Sequence, residues 1–102
     1  MIRVVAVITA KPGGREALVE AFRANAPTVR AEVGCLEYMG VVDAEGLGSF
    51  QAKYGPDVFV VIETWESLEA LKAHGVAPHM IAFGQKTKDL VADRAIHVLS
   101  PV

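Results

Sequence analysis

The sequence predicts an α+β fold: a four-stranded antiparallel sheet with its helices on one face, its elements chained in the order βαββαβ. Three observations lead there. Apolar residues alternate with a period of two in separate runs and recur at three-to-four spacing between them. Glycine and proline punctuate the joins, at Lys11-Pro12-Gly13-Gly14, at Gly34 and at Gly75. The length of 102 residues suits one domain, residues 1–102, with a core that needs no disulfide.

The first strand is Ile2 to Thr9, β-branched and apolar on both faces, with Ile2, Val4, Ala6 and Ile8 on one side and Val5 and Val7 on the other. A helix follows from about Arg15 to Glu32, because Leu18, Phe22, Ala26, Val29 and Val33 form one stripe. Pro27 lies inside that stripe and predicts a bend or break near Asn25-Ala26. Gly34 closes the helix. Cys35 to Asp43 is the second strand, with Leu36, Tyr38 and Val42 on one face and Cys35, Met39 and Val41 on the other. Ala44 to Asp57 is too long for a hairpin turn, and its middle, Ser49 to Tyr54, reads as a strand extension or a flap.

Val58 to Trp65 is the third strand. Ser67 is placed to cap the short helix that runs to His74, and Pro78 suits the first turn of the next. That helix carries Met80, Phe83 and Thr87 inward and is expected to end near Asp93, with Arg94 to Leu99 as the last strand. This order is the ferredoxin-like split βαβ arrangement. With every helix on one face, the other face would be polar if it met water. Here each strand is apolar on both sides, and a bare face of that size exceeds the few hundred Å² that monomers tolerate. A homodimer through the helix-free sheet face is therefore expected.

Composition narrows the function. The formal net charge is −2, and no basic cluster exceeds Lys86-x-Lys88, which argues against nucleic-acid binding. No apolar run approaches the roughly 20 residues of a membrane span. Ile2 to Ala10 has the composition of a short signal core, but it alternates and is needed as a strand. The single cysteine, Cys35, has no internal partner and fits a reducing cytoplasm.

Chemistry concentrates between Val58 and Val91. A strand that feeds two short helices folded back on the sheet brings Glu63, Trp65, His74 and His79 together. His74 and His79 are the candidate catalytic bases, since an imidazole titrates near neutral pH. Each also has a plain structural reading, as a helix-end and a first-turn polar residue. Trp65 could stack on an aromatic ligand or simply pack the strand end. Glu63 could be a carboxyl of raised pKa or an ion-pair partner. Tyr38 could donate to a bound oxyanion. Met80 and Phe83 are wall or core. Glu63, His74 and His79 lack metal-ligand spacing, so no metal is expected.

Lys11-Pro12-Gly13, Gly34-Cys35-Leu36, Glu63-x-Trp65, and Ala70-Leu71-x-x-His74 followed by Pro78-His79 span nearly the whole chain. In that series the sequence resembles the antibiotic biosynthesis monooxygenase superfamily, the quinol-monooxygenase-like dimeric α+β barrels. The resemblance implies sheets packed face to face in a dimer and a pocket between sheet and helices. It also implies oxygenation of quinols or phenols by O₂ without flavin, haem or metal. Departures exist. Anthrone-oxidising members carry Asn four residues before the strand-end Trp and Tyr six after it, where this chain has Val61 and Leu71. The first strand lacks the Asn of haem-degrading members, which disfavours that activity. Two alternatives stay open: an isomerase of a small phosphorylated ketone, and a non-enzymic dimeric binder of a small molecule.

Overall fold

The computed structural model describes residues 1–102. Four strands, β1 (Ile2–Ala10), β2 (Cys35–Val41), β3 (Val58–Trp65) and β4 (Val91–Leu99), join three helices, α1 (Arg15–Arg30), α2 (Leu68–Gly75) and α3 (Pro78–Thr87). The strands form one antiparallel sheet in the order β2-β3-β1-β4. β1 is central: Ile2 lies opposite Trp65 on one side, and Arg3 opposite Leu99 on the other. This is the ferredoxin-like arrangement that the element order predicts.

Period-two alternation turns Val4, Ala6, Ile8 and Ala10 toward the helices, where all four are buried. Leu18, Phe22, Ala26 and Val29 of α1 meet them as the buried stripe of an amphipathic helix. Phe22 stacks on Tyr38 at 5.2 Å and meets Phe59 edge-on at 5.7 Å, so aromatic contacts fasten α1 to β2 and β3. No helix is long and apolar enough to cross a membrane.

Four local expectations are corrected. The break near Asn25-Ala26 is absent, and α1 runs unbroken through Pro27. Pro27 is exposed and sits in the last turn, so the missing N–H costs one terminal hydrogen bond while Ala26 and Val29 hold the buried side. In β2, Cys35 lies opposite Trp65 and Glu37 opposite Thr64, which leaves Leu36 as the extra residue of a bulge. The bulge reverses the alternation: Cys35 packs against the core on the side of Tyr38, while Leu36 is exposed. α3 stops at Thr87 because Val91 pairs with Ala10, extending β4 to an earlier start than Arg94.

The fourth correction concerns the long connection. Residues 44–57 hold one turn of 3-10 helix at Gly48–Phe50 and no strand. The Asp43 carboxylate closes the loop by accepting from the N–H groups of Tyr54 at 3.0 Å and Gly55 at 2.9 Å. Those two bonds hold its carboxyl below the usual range.

The helix-free side of the sheet carries Val5, Val7, Val60 and Ile62 at its middle, with Met39 and Val41 toward β2. Arg3, His97 and the Thr64–Glu37 pair, joined at 3.0 Å, add polar groups to that side.

Candidate active site

A cavity of about 250 Å³ lies between the sheet and helices α2 and α3. Val4, Ala6, Ile8, Phe59 and Val61 form its floor, while Leu71, Met80 and Phe83 close it from above. Its polar lining is sparse: Tyr38, Glu63, His74, Thr87 and Arg94. Asp43 and the residues of the 44–57 connection do not reach it.

Each polar group has a local reason for its position. Glu63 and Trp65 are two apart on β3 and so share the helix-side face. The Trp65 indole N–H donates to Glu63 Oε1 at 2.8 Å. Burial pushes the Glu63 carboxyl above its usual range, and the negative charge of Glu32 adds to the rise; the indole bond and His74 oppose it. Tyr38 is paired with Glu63 across the β2–β3 ladder. Burial, with Glu63 and Glu32 nearby, holds its phenol well above the usual value, so it stays protonated and able to donate.

His74 reaches the cavity from the last turn of α2, whose start is fixed by Ser67: its hydroxyl accepts from the Ala70 N–H at 3.2 Å. The imidazole lies 4.7 Å from the Trp65 ring and 5.8 Å from Tyr38. Its Nδ1 is 2.8 Å from Glu32 Oε2. An ionised carboxylate only accepts, so Nδ1 carries the hydrogen and Nε2 is left for other work.

The sequence-predicted residues thus separate into two groups. His74, Glu63, Tyr38, Met80 and Phe83 line the cavity. Trp65 does not; it is fully buried behind His74, because strand alternation points it into the packed end of the core. His79 does not line it either. It stands on the far side of Glu32, with Nε2 3.1 Å from the same Oε2, close enough for an ion pair. Neither of its buried ring nitrogens is aligned for a hydrogen bond. No cluster of three His, Cys, Asp or Glu side chains is arranged to hold a metal ion.

Two residues escaped the sequence reading. Glu32 joins the two histidines from just beyond the end of α1, 42 positions before His74. Its one visible signal is an acid at the negative end of a helix, which needs a cationic or hydrogen-bonding partner to be stable. Arg94 lines the cavity from β4, in a region the periodicity assigned to a helix–strand junction.

Comparison with known proteins adds to this geometry. The family described as antibiotic biosynthesis monooxygenase matches residues 1–86, a span that ends before β4. The Escherichia coli K12 protein described as "Probable quinol monooxygenase YgiN" is 40% identical over 103 residues, covering 99% of this chain and 98% of that one. Among solved structures, PA3566 of Pseudomonas aeruginosa is similar with a TM-score of 0.82 and 31% identity, covering 99% of this chain and 93% of its own. Rv0793 of Mycobacterium tuberculosis follows at 0.80 and 27%, covering 99% and 94%.

Proposed function

The chain belongs to the antibiotic biosynthesis monooxygenase family, and from that premise we propose that it oxygenates a small hydroquinone or phenol with O₂, with His74 as the base. The observation that carries this reading is the imidazole on the cavity wall, tied through Nδ1 to Glu32. Nε2 would take the phenolic proton, and Glu32 would stabilise the imidazolium that results. Tyr38, kept protonated, would donate to the oxyanion. The apolar floor would seat the electron-rich ring, which can then pass one electron to O₂. Recombination gives a carbon-bound hydroperoxide. Loss of water from it leaves one oxygen atom in the product, a hydroxyquinone from a hydroquinone or a quinone from a phenol, and the other in the water. No external reductant is needed, because the hydroquinone supplies both electrons.

The described activity of the similar E. coli protein supports the substrate class. A phosphorylated ketone fits less well, since most of the lining is hydrocarbon. His79 would act through Glu32 instead of on the substrate. Trp65 would brace His74 and Glu63 in place of stacking on the ligand. The same reading includes a homodimer through the helix-free sheet face, supported by the half-exposed Val5, Val7 and Ile62 and the exposed Met39 and Val41 beside them. It also places the protein in a reducing cytoplasm, where a lone Cys35 stays a thiol.

Oxygen uptake with a panel of benzo- and naphthohydroquinones tests the assignment. His74→Ala should lower kcat/KM by about 10²- to 10⁴-fold, the usual worth of a positioned base. His79→Ala should cost less than His74→Ala. Uptake at the uncatalysed rate with wild-type protein would end the oxygenase reading. Full activity in His74→Ala would end the assignment of the base.

A further inference from the structure

The polar groups of the cavity stand at opposite corners of its floor, and the strand registers locate them. Across β1 and β3, Val4 lies opposite Glu63 and Ile8 opposite Phe59. Across β1 and β4, Val4 lies opposite Val98 and Ile8 opposite Arg94. Tyr38 lies opposite Glu63. Glu63 and Tyr38 are therefore level with Val4 on one side of β1, whereas Arg94 is level with Ile8 on the other. Four residues along a strand separate the two levels by roughly 13 Å, and two strand spacings add roughly 10 Å across. The floor between them is Val4, Ala6, Ile8, Phe59 and Val61, without a polar side chain.

Arg94 stands at the exposed rim of the cavity, on the strand face it shares with Ile96 and Val98. In β4, Thr9 pairs with Asp93 and Ala10 with Val91, so Ala92 is the extra residue of a bulge. The bulge lets Val91 and Arg94, three apart, both line the cavity. In addition, the Arg94 guanidinium has no partner. The ion pairs of the chain join Glu20 with Arg23, Glu45 with Lys53, and Glu32 with the two histidines. Thr87, the other polar residue away from the Glu63 corner, has its hydroxyl committed to the Phe83 carbonyl at 2.8 Å.

We infer that Arg94 recognises an anionic substituent, so that the substrate is a phenol or hydroquinone of one or two rings with a carboxylate remote from the hydroxyl that faces His74. A guanidinium presents paired N–H groups in the planar geometry a carboxylate accepts. Seated there, the ring covers the apolar floor and its hydroxyl reaches the Tyr38–Glu63–His74 corner. This substrate class rests on the function proposed above, but the Arg94 contact can be tested without turnover.

The test is anaerobic calorimetry with two probes: 1-naphthol, and 5-hydroxy-1-naphthoate, which has its hydroxyl and carboxylate on different rings. Wild-type protein should bind the naphthoate at least tenfold tighter than the naphthol. Arg94→Gln should erase that preference by weakening the naphthoate roughly tenfold, the order expected of one charged hydrogen-bonded pair, and leave the naphthol unchanged. Arg94→Lys, which keeps charge without the fork, should fall between. Equal affinities in wild type, a preference that survives Arg94→Gln, or no binding of either probe at millimolar concentration would each overturn the inference. Arg94-dependent binding without oxygen uptake for any hydroquinone would retain the anion site and remove the oxygenase. Turnover of neutral hydroquinones by a protein indifferent to the carboxylate would do the reverse.

Discussion

Glu63 is held in the core by one indole hydrogen bond and by its place on β3, and burial favours its neutral form. Between its unfolded value near 4.5 and its higher native value, the folded protein binds more protons than the unfolded chain. Stability should therefore be greatest below about pH 4.5 as far as this group is concerned, and fall as pH rises through the native value, by about 1.4 kcal/mol for each unit between the two. Glu63→Gln keeps an acceptor for Trp65 and should flatten that slope, as urea midpoints from pH 4 to pH 8 would reveal. A slope unchanged in the variant would assign it to another group. Much of this corner was legible beforehand, because strand alternation alone sets Glu63 and Trp65 on one face and helix spacing brings His74 over them. Glu32 and Arg94 were not. The first meets its partners only after the chain has turned back through β2 and β3, and the second shares a face with Ile96 and Val98 by alternation, but nothing in the sequence marks that face as the cavity wall.

α2 is short, eight residues, and carries His74 in its last turn. A helix of that length is marginal alone and depends on its cap and its packing. Ser67→Ala should cost about 1 kcal/mol in urea unfolding, the ordinary worth of an N-cap, and should lower activity more than it lowers global stability if the turn bearing His74 frays. A change below about 0.3 kcal/mol would mean that packing alone fixes the start of the helix. The helix also leans on Gly34, whose φ of +84° suits glycine and where a Cβ would come within 2.6 Å of Ala70 Cβ. Caps and breaks of this kind are written locally, so Ser67, Gly34 and Pro78 could be read in advance. The end of α3 could not: Thr87, Leu90 and Val91 keep helical spacing, and only the pairing of Val91 with Ala10 ends the pattern.

At the scale of the molecule, the element order was readable because four alternating runs and two amphipathic stretches leave few right-handed, unknotted arrangements. The helix-free face was readable only as apolar; its polar additions, Arg3, His97 and the Thr64–Glu37 pair, emerge from the registers. A second copy on that face should give a dimer by sedimentation equilibrium at low micromolar concentration. Val7→Lys, which sets a charge among Val5, Val60 and Ile62, should shift it toward monomer by at least tenfold in dissociation constant, in keeping with the cost of an unpaired charge in an apolar interface. A well-folded wild-type monomer at that concentration would exclude the dimer. The central position of β1 has one more consequence. It pairs with β3 on one edge and with β4 on the other, and β4 follows every other element in the chain. During synthesis the opening strand must wait, one edge unsatisfied, until the closing one emerges from the ribosome. The wall bearing Arg94 is thus translated after the rest of the cavity, and a nascent chain without it has no finished binding chamber. Such end-to-end pairing is slow to nucleate, so the sheet closes late in folding.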